Sequence, residues 1–344
     1  MKSYREQMDA LHFTQAQKDQ MVEQLLQTPQ KNIRKPHLRR ATAIGIAAAL
    51  ALTVGAGATV AASDAFFPLF GTSQTEIIDK IGRPIGASVS DNGYTLSADA
   101  VMGDKYSICM IFTLSRDDGQ AFPVLAEDPE SFLHFGDSSL STGLFSGAHG
   151  TSRFIDEDPT DNKIQYVEMM TYENGVQPGA VTAKFQDLVQ WDVETGESTT
   201  VIQGDWKMRF QSRYEDLSVS LETGQTPYTL NGMPVEIEEV SLSPLSIYVA
   251  YTVGEQVEWG QDRESGRESP EQAAQTQKFL GDFSLQLHLK DGRTIDCNDA
   301  GGSIGPEDGK THCTKSMLFD ELIPLEDVES ITLCGQTLPI TPAA

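Results

Sequence analysis

Beyond residue 82 the chain is dominated by apolar and polar positions alternating with a period of two. Ile85 to Ser90, the turn Asp91-Asn92-Gly93 and Tyr94 to Met102 read as a hairpin, because Asn-Gly supplies the positive φ of a tight turn. After a second turn at Gly103-Asp104-Lys105, residues 106–115 place Tyr106, Ile108, Met110, Phe112 and Leu114 on one face, and Cys109 and Ile111 on the other. Two apolar faces predict a strand in the middle of a packed sheet. Further strands are expected at 163–172, 180–191, 206–210, 217–221, 234–242, 246–253, 283–290, 293–297, 315–319 and 328–333. Only Glu76 to Ile81 and Pro270 to Lys278 carry helical spacing, and Gln261 to Glu271 is polar enough to predict a mobile loop. No 34- or 40-residue repeat is visible, which argues against the common solenoids and propellers. Many short strands separated by turns predict antiparallel β-sandwiches. A break near 211–215 leaves enough strands for a complete immunoglobulin-like set after it.

The first 62 residues follow other rules. Thr14-Gln15-Ala16-Gln17 has the form of a capping box, and Met21, Val22, Leu25 and Leu26 form an apolar stripe that ends at Thr28-Pro29. A helix this short is marginal in water and cannot bury its own stripe. The stripe is therefore expected either to contact a cytoplasmic partner or to rest on the inner leaflet. Ala41 to Ala62 contains no charged residue, and as a helix it spans roughly 33 Å, enough for a hydrocarbon core. Lys31, Arg34, Lys35, Arg39 and Arg40 crowd its amino-terminal edge, which by the positive-inside rule keeps residues 1–40 in the cytoplasm and exports the rest. A cleaved signal peptide is the alternative, since Val60-Ala61-Ala62 has small-residue cleavage character; the 40-residue leader and the long apolar run favour a retained anchor.

Charge sharpens this division. The 344 residues carry 25 basic and 50 acidic side chains, net −25, which excludes a phosphate-tracking nucleic-acid binder. Residues 1–40 hold eight bases and four acids, net +4; the remainder holds 17 bases and 46 acids, net −29. Expected organisation is thus a cytoplasmic segment 1–40 with a short helix, one transmembrane helix 41–62, a first β-rich ectodomain 63–212 and a second β-sandwich domain 213–344.

Motifs for chemistry are sparse. Gly301-Gly302-Ser303-Ile304-Gly305 spells G-x-S-x-G, but it lacks the strand before and helix after that a nucleophile elbow requires, and it reads as a Gly-rich loop. Gly309-Lys310-Thr311 lacks the earlier glycine of a phosphate loop, since that position is Ile304. The histidines, His12, His37, His134, His149, His288 and His312, include no H-E-x-x-H pair, and His312-Cys313 with Cys297 lacks structural-zinc spacing. Asp156-Glu157-Asp158-Pro159-Thr160-Asp161 lacks EF-hand order and reads as a solvated acidic loop, with weak Ca²⁺ binding as the alternative. Cys109, Cys297, Cys313 and Cys334 are expected outside the membrane, where a Cys297–Cys313 disulfide across 298–312 is the favoured pairing and four buried thiols the alternative. No catalytic, cofactor or metal residue is assigned, and the chain is expected not to be an enzyme.

Several stretches carry a resemblance: Phe13-Thr-Gln-Ala-Gln-Lys18, Gly93-Tyr-Thr-Leu with the strand after Asp104, Gly204-Asp-Trp-Lys-Met-Arg-Phe210, Val240-Ser-Leu-Ser-Pro-Leu-Ser246 and the closing segment from Ile323-Pro-Leu to Pro339. In that order, over most of the chain, they resemble a Gram-positive family of single-pass membrane proteins. The β-rich ectodomain of that family is a domain of unknown function, and its members often accompany extracytoplasmic-function sigma factors. The resemblance implies an anti-sigma-factor-like regulator or envelope sensor in the cell membrane, with a cytoplasmic sigma factor or other regulator as partner. Residues 1–40 contain no cysteine, so the zinc-binding anti-sigma fold is not spelled there. A structural or ligand-binding envelope module is the alternative. Oligomeric state is left open.

Overall fold

A computed structural model describes residues 59–122, 131–142, 147–192, 195–223, 227–259 and 269–340. Residues 1–58 lie outside these, and with them the stripe Met21, Val22, Leu25 and Leu26, the capping box and most of the expected span. So does most of the polar stretch 261–271.

The described chain is mainly β, and every strand pair is antiparallel. Strands β1 (Arg83–Asp91), β2 (Tyr94–Gly103), β3 (Ser107–Arg116), β5 (Ala148–Ile155) and β6 (Lys163–Tyr172) form one sheet in the order β1-β2-β3-β6-β5. Strands β4 (Ser131–Ser141), β7 (Ala180–Asp192) and β8 (Ser198–Gln211) form a second, in the order β4-β7-β8. Between them lies a core that takes Ile108, Met110, Phe112 and Leu114 from one face of β3, as the alternation predicts. Phe185 meets Phe112 edge-on at 5.1 Å, and fully buried Trp206 donates its indole N–H to the Tyr94 carbonyl at 3.2 Å. Such edge-to-face pairs add to the burial of area, and the indole donor is satisfied as a buried one must be.

After residues 212–218 the strands build a second core. Here β9 (Val219–Ser220), β10 (Tyr228–Leu230), β11 (Met233–Leu242), β12 (Ser246–Val253), β15 (Gly301–Glu307) and β16 (Lys310–Leu318) form one sheet, with the order β10-β11-β12-β16-β15 and β9 beside β11. The facing sheet is β14-β13-β17-β18, from β13 (Leu285–Leu289), β14 (Thr294–Asp296), β17 (Val328–Leu333) and β18 (Gln336–Pro339).

These two halves repeat one design. The order β1-β2-β3-β6-β5 reappears as β10-β11-β12-β16-β15. Asn92-Gly93 and Asn231-Gly232 make the two hairpin turns, all four residues at positive φ. A bulge interrupts β2 between Ala98 and Ala100 and β11 between Ile237 and Glu239. At each bulge a threonine of the next strand donates to the extra acidic residue, Thr113 to Asp99 and Thr252 to Glu238. Positions 92–114 correspond to 231–253 without a gap. We refer to the halves as the first and second modules.

The outer face of the repeated sheet is covered twice, by different things. On the first module it is Ala100, Met102, Cys109, Ile111 and Val167, packed under helices α1 (Thr59–Phe70) and α2 (Thr75–Ile81) through Ala62, Ala65, Phe66, Phe70, Ile78 and Ile81. On the second module the matching positions include Glu239, Ser241, Tyr248 and Ala250, and the first module covers them. Tyr106 stacks on Tyr248 at 3.7 Å, its hydroxyl and the Lys105 ammonium reach Glu239, and His149 Nε2 lies 3.0 Å from Ser316 Oγ. A buried carboxylate ties the joint. Asp104 accepts from the amides of Tyr106 and Ser107 at 2.8 and 2.6 Å, and from the hydroxyls of Ser243 and Ser246 at 2.5 and 2.6 Å. Helices and modules all lie within one compact unit.

No helix among the described residues is long and apolar enough to cross a membrane, and residues 41–58 of the expected span lie outside them. Other expectations need correction. The last residues of the expected span, 59–62, belong to α1, where Ala62 is 1% exposed against the β body. Residues 301–307 are the edge strand β15, not part of a loop. Their glycines hide the strand pattern, yet glycine is what lets Gly302 lie against β16, since a Cβ there would sit 1.9 Å from the Thr314 carbonyl. Strands β4 and β5 were likewise not expected; β5 is a largely exposed edge without an alternating pattern. The second helical stretch is α3 (Pro270–Thr276), started by a Ser269–Gln272 capping box and followed by a π turn to Gly281.

Candidate functional site

A short loop with Gly71 at φ 78° turns the chain from α1 into a 3-10 turn, Thr72–Gln74, and then into α2. The side-chain amide of Gln74 binds the second module's backbone in both directions, donating to the Leu322 carbonyl at 2.7 Å and accepting from the Leu322 amide at 2.8 Å. Beside this clamp opens a cleft of about 560 Å³. Ser73, Gln74, Glu76, Ile77 and Lys80 form one wall; Leu217, Pro244, Leu289, Arg293 and the loop 321–327 form the other. It lies where the helices meet the second module.

Apolar and charged side chains share the lining of the cleft. Lys80 pairs with Glu76 at 3.3 Å, and Arg293 pairs with Glu321 and, at 2.7 Å, with Asp291. Hydrogen bonds from Arg293 hold the Asp291 carboxyl below the usual range, and those to Asp291 and Glu321 raise the guanidinium further. Both cations of the lining are thus paired with the chain's own acids. Glu326 and Asp327, on the 3-10 turn Leu325–Asp327, make no ion pair among the described residues; the nearby Lys290 ammonium is held by the Glu326 carbonyl. Chemically, the arrangement offers apolar side chains beside two exposed carboxylates that make no ion pair of their own among the described residues.

Residues singled out in the sequence are scattered elsewhere. Cys297 and Cys313 share the second core, with Cys334 packed at its edge, but all four cysteines are thiols and the expected Cys297–Cys313 bridge is not formed. Burial pushes each thiol up to about 12. Ser303 lies within β15 with its hydroxyl 2.9 Å from Thr314 Oγ, so it is not raised on an elbow. Lys310 follows the Asp308-Gly309 hairpin turn and lies 3.9 Å from Glu236, and His312 Nδ1 lies 3.4 Å from Glu238. In the acidic loop, Asp156, Asp158 and Asp161 accept from the amides of Asp158, Thr160 and Lys163, which makes them turn caps. Among the described residues no three His, Cys, Asp or Glu side chains converge as metal ligands.

Two further ionisable groups, half-buried Asp99 and buried Lys315, had no sequence signal. Asp99, at the first bulge, is pushed up to about 6 by burial, against the Thr113 hydroxyl and the Lys163 charge. Lys315, fully buried, donates to the carbonyls of Leu280 and Phe283 at 3.0 and 2.9 Å, and burial lowers its pKa. The cleft itself was also invisible in the sequence, because its walls, 73–80 on one side and 217–327 on the other, lie far apart along the chain.

No protein-family model matches the chain, and no curated protein matches it. Among solved structures it is similar to a conserved domain protein from Bacillus anthracis, at 14% identity over 73% of this chain and 75% of that one, with a TM-score of 0.42. It is also similar to the N-terminal periplasmic domain of ScsB from Proteus mirabilis, at 8% identity over 76% of this chain and 99% of that one, with a TM-score of 0.17.

Proposed function

We propose that this chain is a non-enzymatic, single-pass envelope sensor of the anti-sigma-like kind. Its two β modules, read as immunoglobulin-like sandwiches, face outward, and residues 1–40 meet a sigma factor or other regulator in the cytoplasm. The observation that carries the reading is α1. It begins inside the expected span and is buried against the first module, and Leu245 and Leu322 of the second module reach the same cluster. A change at the cleft is thereby mechanically connected to the chain segment that leads to the membrane. On this reading the cleft is the sensing site, and the stripe Met21, Val22, Leu25 and Leu26 is the output. The cleft also fits a ligand-binding envelope module without signalling, and one experiment separates the two. A strain lacking the gene is complemented with the wild-type chain or with those four residues replaced by serine, at equal membrane abundance, and transcript profiles are compared. The sensor reading expects the serine variant to reproduce the deletion profile; profiles identical to wild type would leave only the binding module.

A further inference from the structure

We infer that the cleft between α2 and the second module binds a cationic amphipathic peptide, with apolar side chains on Ile77, Leu217 and Leu325 and basic ones at Glu326 and Asp327. The inference rests on the cleft being the sensing site proposed above. Half-buried Ile77, Leu217 and Leu325 give the cleft an apolar surface that apolar groups can cover without stranding polar atoms of their own. Its volume of about 560 Å³ lies within the range typical of ligand pockets.

Charge decides the rest. Lys80 and Arg293, the cleft's own cations, are held by Glu76, Asp291 and Glu321, so an anionic ligand would have to break an existing pair. A cation breaks none and meets Glu326 and Asp327. The net charge of −29 on residues 41–344 draws cations to this body from a distance. Spent alone on two exposed carboxylates, such attraction is weak and screened by salt; combined with apolar burial it selects molecules that carry both features.

The test is a titration of the full chain in zwitterionic nanodiscs with a short amidated Lys/Leu peptide, with empty discs as blank. A Glu/Leu peptide of the same length and spermidine serve as comparisons. Saturable binding of the Lys/Leu peptide is expected, weakened at least fivefold by Glu326→Gln with Asp327→Asn and by raising salt to about 0.3 M, and abolished by Leu217→Arg. Equal binding of the Glu/Leu peptide or of spermidine would overturn the inference, as would indifference to Leu217→Arg. The two readings fail separately. Peptide binding without a transcript change on peptide addition contradicts the sensor and leaves the ligand class standing. A sensor that passes the serine-stripe test while the peptide does not bind overturns the ligand class alone.

Discussion

Replacing Asp104 by alanine removes the carboxylate through which the two modules are joined. Two backbone amides, Tyr106 and Ser107, lose their acceptor in a site with almost no solvent, and each orphaned donor costs about 1–3 kcal/mol. Of the two hydroxyls, Ser243 can turn to the Ser246 carbonyl, 3.4 Å away, whereas Ser246 loses its partner. Relief opposes this loss, because burial raises the Asp104 pKa and the carboxylate is itself costly to hold there. The net expectation is about 3 kcal/mol of destabilisation, or about 6 °C in Tm for a body of this size. Asp104→Asn keeps the oxygen that caps the Tyr106–Ser107 turn and presents an amide to the two serine oxygens. Since Ser243 Oγ already accepts from the amides of Leu245 and Ser246, the cost of asparagine is about 1 kcal/mol. Differential scanning calorimetry of the two variants and wild type measures this, and the alanine variant should also separate the single transition into two. If alanine and asparagine both fall within about 0.5 kcal/mol of wild type and the transition stays single, Asp104 is not the joint.

Three further outcomes follow from single positions. A carboxyl whose folded pKa is raised binds its proton more tightly when folded, so between about 4 and about 6 Asp99 makes stability fall as pH rises; Asp99→Asn should flatten that limb of a urea-midpoint profile and stabilise the protein at pH 7 by about 1–3 kcal/mol. Thiol titration in guanidinium should count four free cysteines, and in the native state Cys334, the one that is not fully buried, should react first; two thiols on denaturation would restore the disulfide. Gly302→Ala forces a Cβ into the Thr314 carbonyl and should cost about 1–3 kcal/mol, with exchange rising first at the β15 amides.

Where a strand buries both faces or alternates cleanly, its limits were legible: β6, β12 and β17 begin and end where the pattern predicts, and the Asn-Gly turns lie where glycine is needed. Strands held by their neighbours rather than by their own pattern were not. β15 and β5 are edges, and most of their side chains face solvent or are glycine. The repeat escaped for a different reason. Over 92–114 and 231–253 only Asn, Gly, Val, Ser, Ile and Thr at six matching positions are identical, so the likeness resides in the bulge, the register and the Thr-to-acid bond. The outer face differs most, because it must meet helices in one module and a module in the other. Apolar Met102, Cys109 and Ile111 became Ser241, Tyr248 and Ala250. No local pattern encodes the cleft, which exists only once α2 is docked on the second module.

That docking is the central claim: α1, α2 and both modules move as one body through the cluster that holds Phe66, Phe70 and Leu322. Hydrogen exchange of the full chain in nanodiscs, wild type against Leu322→Asp, addresses it directly. The substitution puts a charge into the second module's contribution to that cluster. Amides of α1 from Ala65 to Phe70 should lose protection by at least tenfold, a change of about 1.4 kcal/mol or more in local opening, while β12 in the second core keeps its own. An α1 that exchanges as in wild type when Leu322→Asp is in place would contradict the account.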